Sequence, residues 1–219
     1  MDTPSDRHLP EFEVEESLQS RGCPLCTLLS KQVARFFDRF LYENLGNPYF
    51  RHSFRKAGGF CRTHAWMFMN CNDGLAVAVL YRELLGDRLS EINGADGFWK
   101  RLSLRKKKDP GCFLCELCKD WEQRYLSVLR ERWNAADIKN LLLASDGFCA
   151  PHYHALCLKG SVPRWLAAHQ KEAMRKLIAE LGTCLDSWEE QQGGAETPHG
   201  YPWRRALSAT IGENGLFGR

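Results

Sequence analysis

The chain has 219 residues, 44% hydrophobic and 26% charged, enough to bury a core without disulfides and too apolar for disorder or a collagen-like class. The 30 basic side chains against 27 acidic ones leave a formal charge of +3, too near neutrality to mark a nucleic-acid binder. The 10 cysteines are the outlier: the polar, acidic N-terminus carries no secretory signal, so they point to a reducing, cytoplasmic setting where thiols hold metal or do redox work.

Residues 1–20 hold six acidic side chains and one arginine, and are expected to form a loosely packed acidic segment. Cys23-Pro24-Leu25-Cys26 follows. From there Leu25, Leu29, Val33, Phe36, Phe37, Phe40, Leu41 and Leu45 make the stripe of an amphipathic helix. Gly46-Asn47-Pro48 ends it, because proline cannot continue the hydrogen-bond ladder. A short helix over 49–57 stops at Gly58-Gly59, and Gly59-Phe60-Cys61-Arg62-Thr63-His64 opens a third. A fourth runs over 75–92. Its apolar run, Leu75 to Tyr81, is far short of the roughly 20 residues of a membrane span, and no membrane association is expected.

Residues 93–110 read as a basic linker. Lys100, Arg101, Arg105, Lys106, Lys107 and Lys108 put six cations into nine positions beside Phe98 and Trp99. Such a stretch can touch phosphates and stack on bases, which makes a weak nucleic-acid contact an open reading. A solvated linker accounts for it better.

Cys112-Phe113-Leu114-Cys115 starts the second half, with a long helix to Trp133 and a short one over 135–144. Gly147-Phe148-Cys149-Ala150-Pro151-His152 then mirrors the earlier hexapeptide. Pro163 opens a last long helix whose apolar positions Trp165, Ala173, Met174, Leu177, Leu181, Leu185 and Trp188 share a face. The rest, 189–219, reads as a flexible linker and a tail with a short helix over 203–209. No segment alternates with period two. The fold class is all-α.

The two halves carry the same landmarks in the same order. The CxxC motifs lie 89 positions apart and the CxxH motifs 88, with 34 residues between CxxC and CxxH in the first half and 33 in the second. This predicts two tandem helical repeats of about 90 residues, over 21–92 and 111–188, related by pseudo-twofold symmetry.

The chemistry that CxxC and CxxH carry most naturally is tetrahedral metal binding. Two cysteines at i, i+3 can bite one ion, and a Cys and His at i, i+3 on a helix face the same way. Pairing within each repeat gives Cys23, Cys26, Cys61 and His64 as one Cys3His site, and Cys112, Cys115, Cys149 and His152 as the other. Closed nitrogen and sulfur coordination favours Zn²⁺, two per chain, with an iron–sulfur cluster on the same ligands as the alternative. Cys71, Cys118, Cys157 and Cys184 are left over and read as core thiols; a sharper reading makes Cys118 or Cys157 a substitute ligand or a regulatory thiol. No Ser/His/Asp set, phosphate-binding glycine loop or HExxH is visible, so the chain leans away from catalysis. A protein partner and a regulatory role are the expectation.

The doubled Cys-Pro-Leu-Cys…Gly-Phe-Cys-x2-His pattern, with Trp203-Arg204-Arg205-Ala206-Leu207 in the tail, resembles an uncharacterised bacterial domain-of-unknown-function family. The second copy departs from it with Phe113 where the first has Pro24. The resemblance implies the architecture and the eight ligand positions over 20–210, and no activity.

Overall fold

The computed structural model describes residues 9–71, 73–93, 111–191 and 202–213; the basic stretch 100–108, with Phe98 and Trp99, lies outside them. The described residues are helical, with no strand among them. In chain order they form α1 (Leu9–Leu18), α2 (Pro24–Arg39) with a π-helical turn (Phe40–Asn44), α3 (Pro48–Lys56), α4 (Arg62–Met69) and α5 (Gly74–Asn93). Then come α6 (Phe113–Arg132), α7 (Ala136–Ala144), α8 (Ala150–Leu158), α9 (Arg164–Gln191) and α10 (Pro202–Ile211). The all-α reading stands. No described helix is long and apolar enough to cross a membrane.

Local chemistry sets the helix starts. Asn47 caps α3, its side chain accepting from the backbone N–H of Tyr49 at 3.0 Å and Phe50 at 3.4 Å, with Pro48 in the first turn. Cys61 and Cys149 stand at the N-caps of α4 and α8 in extended backbone, at ψ 167° and 159°.

The chain divides into two compact units, which cut across the expected boundaries at 21–92 and 111–188. One is formed by the chain through Ser30 together with Trp121 onward, the other by Lys31–Asp120. The division falls inside α2 and inside α6, so each of these helices begins in one unit and ends in the other.

In the first unit the core is aliphatic: Val14, Leu18, Leu25, Leu28, Leu126, Leu129, Ile138, Leu142, Leu156 and Leu166 are all buried. The acidic segment is therefore better packed than expected, because α1 sends Val14 and Leu18 into this core. Buried Glu13 accepts from Tyr125 Oη at 2.5 Å, and Arg132 reaches Glu11 and Asp137, each at 2.8 Å. The long helix α9 also differs from expectation: it buries Leu166, Gln170 and Cys184, while Met174 and Leu185 are exposed.

In the second unit the core is aromatic. Phe37, Phe40, Phe54, Phe60 and Phe68 are buried, and their rings meet edge-on or tilted at centroid separations of 5.0 to 5.8 Å. Arg55 and Arg51 on α3 pair with Asp87 and Glu83 on α5, at 2.7 and 3.3 Å.

Two candidate metal centres with crossed ligand pairs

All eight cysteine and histidine residues picked out by the motifs gather into two clusters, but the pairing is crossed. The first holds Cys23, Cys26, Cys149 and His152; the second holds Cys61, His64, Cys112 and Cys115. Each CxxC joins the CxxH of the other half of the sequence. The expected grouping of Cys23 and Cys26 with Cys61 and His64, and of Cys112 and Cys115 with Cys149 and His152, is thereby corrected. Helix lengths give the reason. From Pro24 to Asn44 the chain climbs about 30 Å at ~1.5 Å per residue, and the nine residues of α3 recover less than half of that. The same holds for α6 followed by α7.

Both clusters are built alike. A CxxC at the start of a long helix meets a CxxH at the start of a short one, so two helix N-termini carry their partial positive charge toward the sulfurs. The turn into each CxxH needs glycine. Gly147 (φ 80°) and Gly59 (φ 90°) are left-handed, and a Cβ there would come within 2.9 Å of Gln170 and Leu84 respectively.

The donor atoms are spaced for one ion. At the first cluster His152 Nδ1 lies 3.3, 3.4 and 3.2 Å from the Sγ atoms of Cys23, Cys26 and Cys149, and Cys26 Sγ lies 3.7 Å from Cys149 Sγ. At the second, His64 Nδ1 is 3.4 Å from each of Cys61, Cys112 and Cys115, and Cys115 Sγ is 3.7 Å from Cys61 Sγ. A tetrahedron with metal–sulfur bonds of about 2.3 Å and metal–nitrogen bonds of about 2.0–2.1 Å has S···S edges of about 3.8 Å and S···N edges of about 3.5 Å. The donor sets match those edges to within a few tenths of an ångström. Both can hold a metal ion.

Packing three thiols this closely without a cation makes their ionisation unequal. Burial raises Cys23, yet its contacts with Cys149, Cys26 and His152 outweigh this and hold it well below the ordinary thiol range. Contact with Cys23, and burial, push Cys149 up to about 12. Cys26 is raised by its contacts with Cys149 and Cys23 and by burial. At the second cluster burial and the charge of Cys112 raise Cys115, while burial lowers His64 and keeps its imidazole in the neutral, ligating form. In the first cluster one thiol ionises ahead of its two neighbours, whereas a divalent cation lets all three ionise together.

A family model described as a family of unknown function (DUF6062) matches residues 7–184, which include all eight clustered residues. The chain belongs to this family. It is also 34% identical over 175 residues, covering 78% of this chain and 79% of the other, to an "Uncharacterized 23.9 kDa protein in xynA 3'region" of Caldicellulosiruptor sp. (strain Rt8B.4). No solved structure matches it.

The surroundings of the clusters differ, and three of the residues involved escape the motif reading. Gln170, only 3% exposed on α9, clamps the backbone of Phe148: its Oε1 accepts from the Phe148 N–H and its Nε2 donates to the Phe148 carbonyl, both at 2.8 Å. The residue after Phe148 is the ligand Cys149. A polar residue on the apolar face of α9 was the available signal. Glu122 Oε1 stands 3.6 Å from His152 Nε2, and the Glu213 N–H reaches Cys26 Sγ at 3.4 Å. Glu213 lies beyond the span matched by the family model. At the second cluster His64 Nε2 is buried and has no hydrogen-bond partner among the described residues, and the same holds for Tyr81 Oη. Burial, then the charges of Cys112 and Cys61, raise Tyr81. Cys118 and Cys184 are buried, Cys71 is partly exposed and Cys157 exposed; none belongs to either cluster.

Proposed function

We propose that the two clusters are structural zinc centres, and that the protein works by protein interaction or regulation, in the cytoplasm, rather than by catalysis. The observation that carries the reading is the donor spacing. In each cluster three sulfurs and one imidazole nitrogen lie within 4.8 Å of one another, which suits a single tetrahedral ion. A four-iron cluster puts each donor on its own iron and spreads the donors further apart, so the spacing favours one ion over a cluster. Three thiolates and a neutral histidine are a donor set that suits zinc, and four protein donors leave no open position of the kind catalytic zinc keeps. When bound, the ion supplies the positive charge that lets three crowded thiols ionise and ties two distant stretches of sequence together.

A protein partner is supported by surface composition. Trp66 on α4 is 65% exposed and lines, with Ala65, Met69, Val77 and Tyr81, a largely apolar surface hollow that solvent does not favour. Elemental analysis of the purified full-length chain tests the reading. The expected result is a colourless protein with two zinc per chain. A brown anaerobic preparation containing iron and sulfide overturns it.

A further inference from the structure

We propose that the second centre is redox-labile: Cys61 and Cys115 are the pair that a hydroperoxide oxidises to a disulfide, which releases the ion, while the first centre resists. The inference rests on the zinc reading above and concerns how the two centres differ.

Three observations single out this pair. Cys61 and Cys115 are the clustered cysteines with partial exposure; Cys23, Cys26, Cys149 and Cys112 are all buried. An oxidant in water therefore reaches the sulfurs of the second centre more readily than those of the first. Their sulfurs lie 3.7 Å apart, so a sulfur oxidised at one is already beside a resolving thiolate. The first centre also has a thiol pair at 3.7 Å, Cys26 and Cys149, but both are buried and Cys26 Sγ accepts the Glu213 N–H. That hydrogen bond draws electron density from the sulfur and covers it.

The chemistry balances with a hydroperoxide as the two-electron oxidant. The Cys61 thiolate attacks one peroxide oxygen; the O–O bond breaks, giving a sulfenic acid at Cys61 and hydroxide. The Cys115 thiolate then attacks the Cys61 sulfur, the S–S bond forms and a second hydroxide leaves. With hydrogen peroxide the two hydroxides take up two protons and become water. Two electrons have passed from the two sulfurs to the peroxide. Cys112 and His64 remain as donors, too few to retain the ion. A dithiol reductant returns the electrons and restores the site.

The test uses the full-length two-zinc protein. Hydrogen peroxide is added, zinc release is followed with a chromogenic chelator, and disulfides are mapped by mass spectrometry after digestion without reductant. One equivalent of zinc should leave about tenfold faster than the other, or more, together with a Cys61–Cys115 disulfide, and reductant plus zinc should reverse both. The Cys157→Ser variant, which removes the exposed thiol outside both centres, should behave as the parent does. Release of both equivalents together, a Cys26–Cys149 disulfide in the first equivalent, or loss of the effect in Cys157→Ser overturns the inference and leaves the zinc reading intact. A chain that takes up no metal overturns both.

Discussion

At the first centre all four donors are buried in an aliphatic core, a carboxylate stands behind the histidine, a backbone N–H meets one sulfur and a glutamine clamps the loop that delivers another. At the second, two sulfurs are partly open to solvent and the core around it is a cluster of phenylalanines. The donor atoms and their spacing are the same. If the second centre is the labile one, as proposed, the comparison teaches that a metal site's robustness is set outside the ligand shell, by burial and by the hydrogen bonds around the ligands.

The largest effect expected is that of removing metal altogether. Structural zinc contributes roughly 10–16 kcal/mol in zinc-finger peptides, against roughly 5–15 kcal/mol for the whole stability of a domain. Chelation in denaturant-free buffer should therefore cost most of the helical circular-dichroism signal. It should proceed in two steps, with the second centre emptied first. A single step in which both ions leave together would erase the distinction between the centres.

Paired substitutions test the crossed assignment next. Cys23→Ser with Cys149→Ser should lose one metal per chain, because both residues serve the first centre. Cys23→Ser with Cys61→Ser should lose both. Pairing within each sequence repeat predicts the reverse. Metal content by mass spectrometry, read on variants whose helical circular-dichroism signal is retained, therefore decides the matter.

This pairing is where the sequence stops being informative. Cys23 and Cys26, or Cys149 and His152, are three positions apart in a helical turn, so their co-ligation is a local fact visible in the spacing. Which CxxC meets which CxxH is not local. Both CxxC motifs offer the same chemistry, and only the lengths of α2 and α6 against the short α3 and α7 separate the choices. The helices themselves were legible from their apolar stripes and from stops such as Gly46-Asn47-Pro48. Burial of Val14 and Leu18 in α1 was not, because acidic neighbours dominate that segment's composition. Gln170 was hidden for a related reason: a glutamine on a helix reads as solvated until its backbone partner is known.

Gln170→Leu should then separate the centres by a smaller margin. It removes both hydrogen bonds to Phe148 and leaves a buried N–H and carbonyl unpaired, at a cost of about 1–3 kcal/mol. Both metals should remain bound at equilibrium, while thermal stability falls and zinc exchange at the first centre quickens. An unchanged exchange rate alongside a lowered Tm would make Gln170 a packing residue with no hold on Cys149.

The smallest effects should come from the cysteines outside both centres. Cys71→Ser and Cys184→Ser make the same chemical change as Cys61→Ser, yet neither residue lies in a donor cluster, so both variants should keep two metals per chain. Their costs should differ with burial. Cys71 is partly exposed, its Sγ 3.6 Å from the Met67 carbonyl, and a serine hydroxyl there can keep that acceptor or turn to water, for a change of about 0.5 kcal/mol or less. Cys184 is buried on α9, where a hydroxyl must give up water, at about 1–3 kcal/mol. Thermal unfolding with metal content measured on the same samples separates the two quantities. A metal lost on changing Cys71 would mean that the second centre extends beyond its four donors, and that its contrast with the first lies in the ligands themselves.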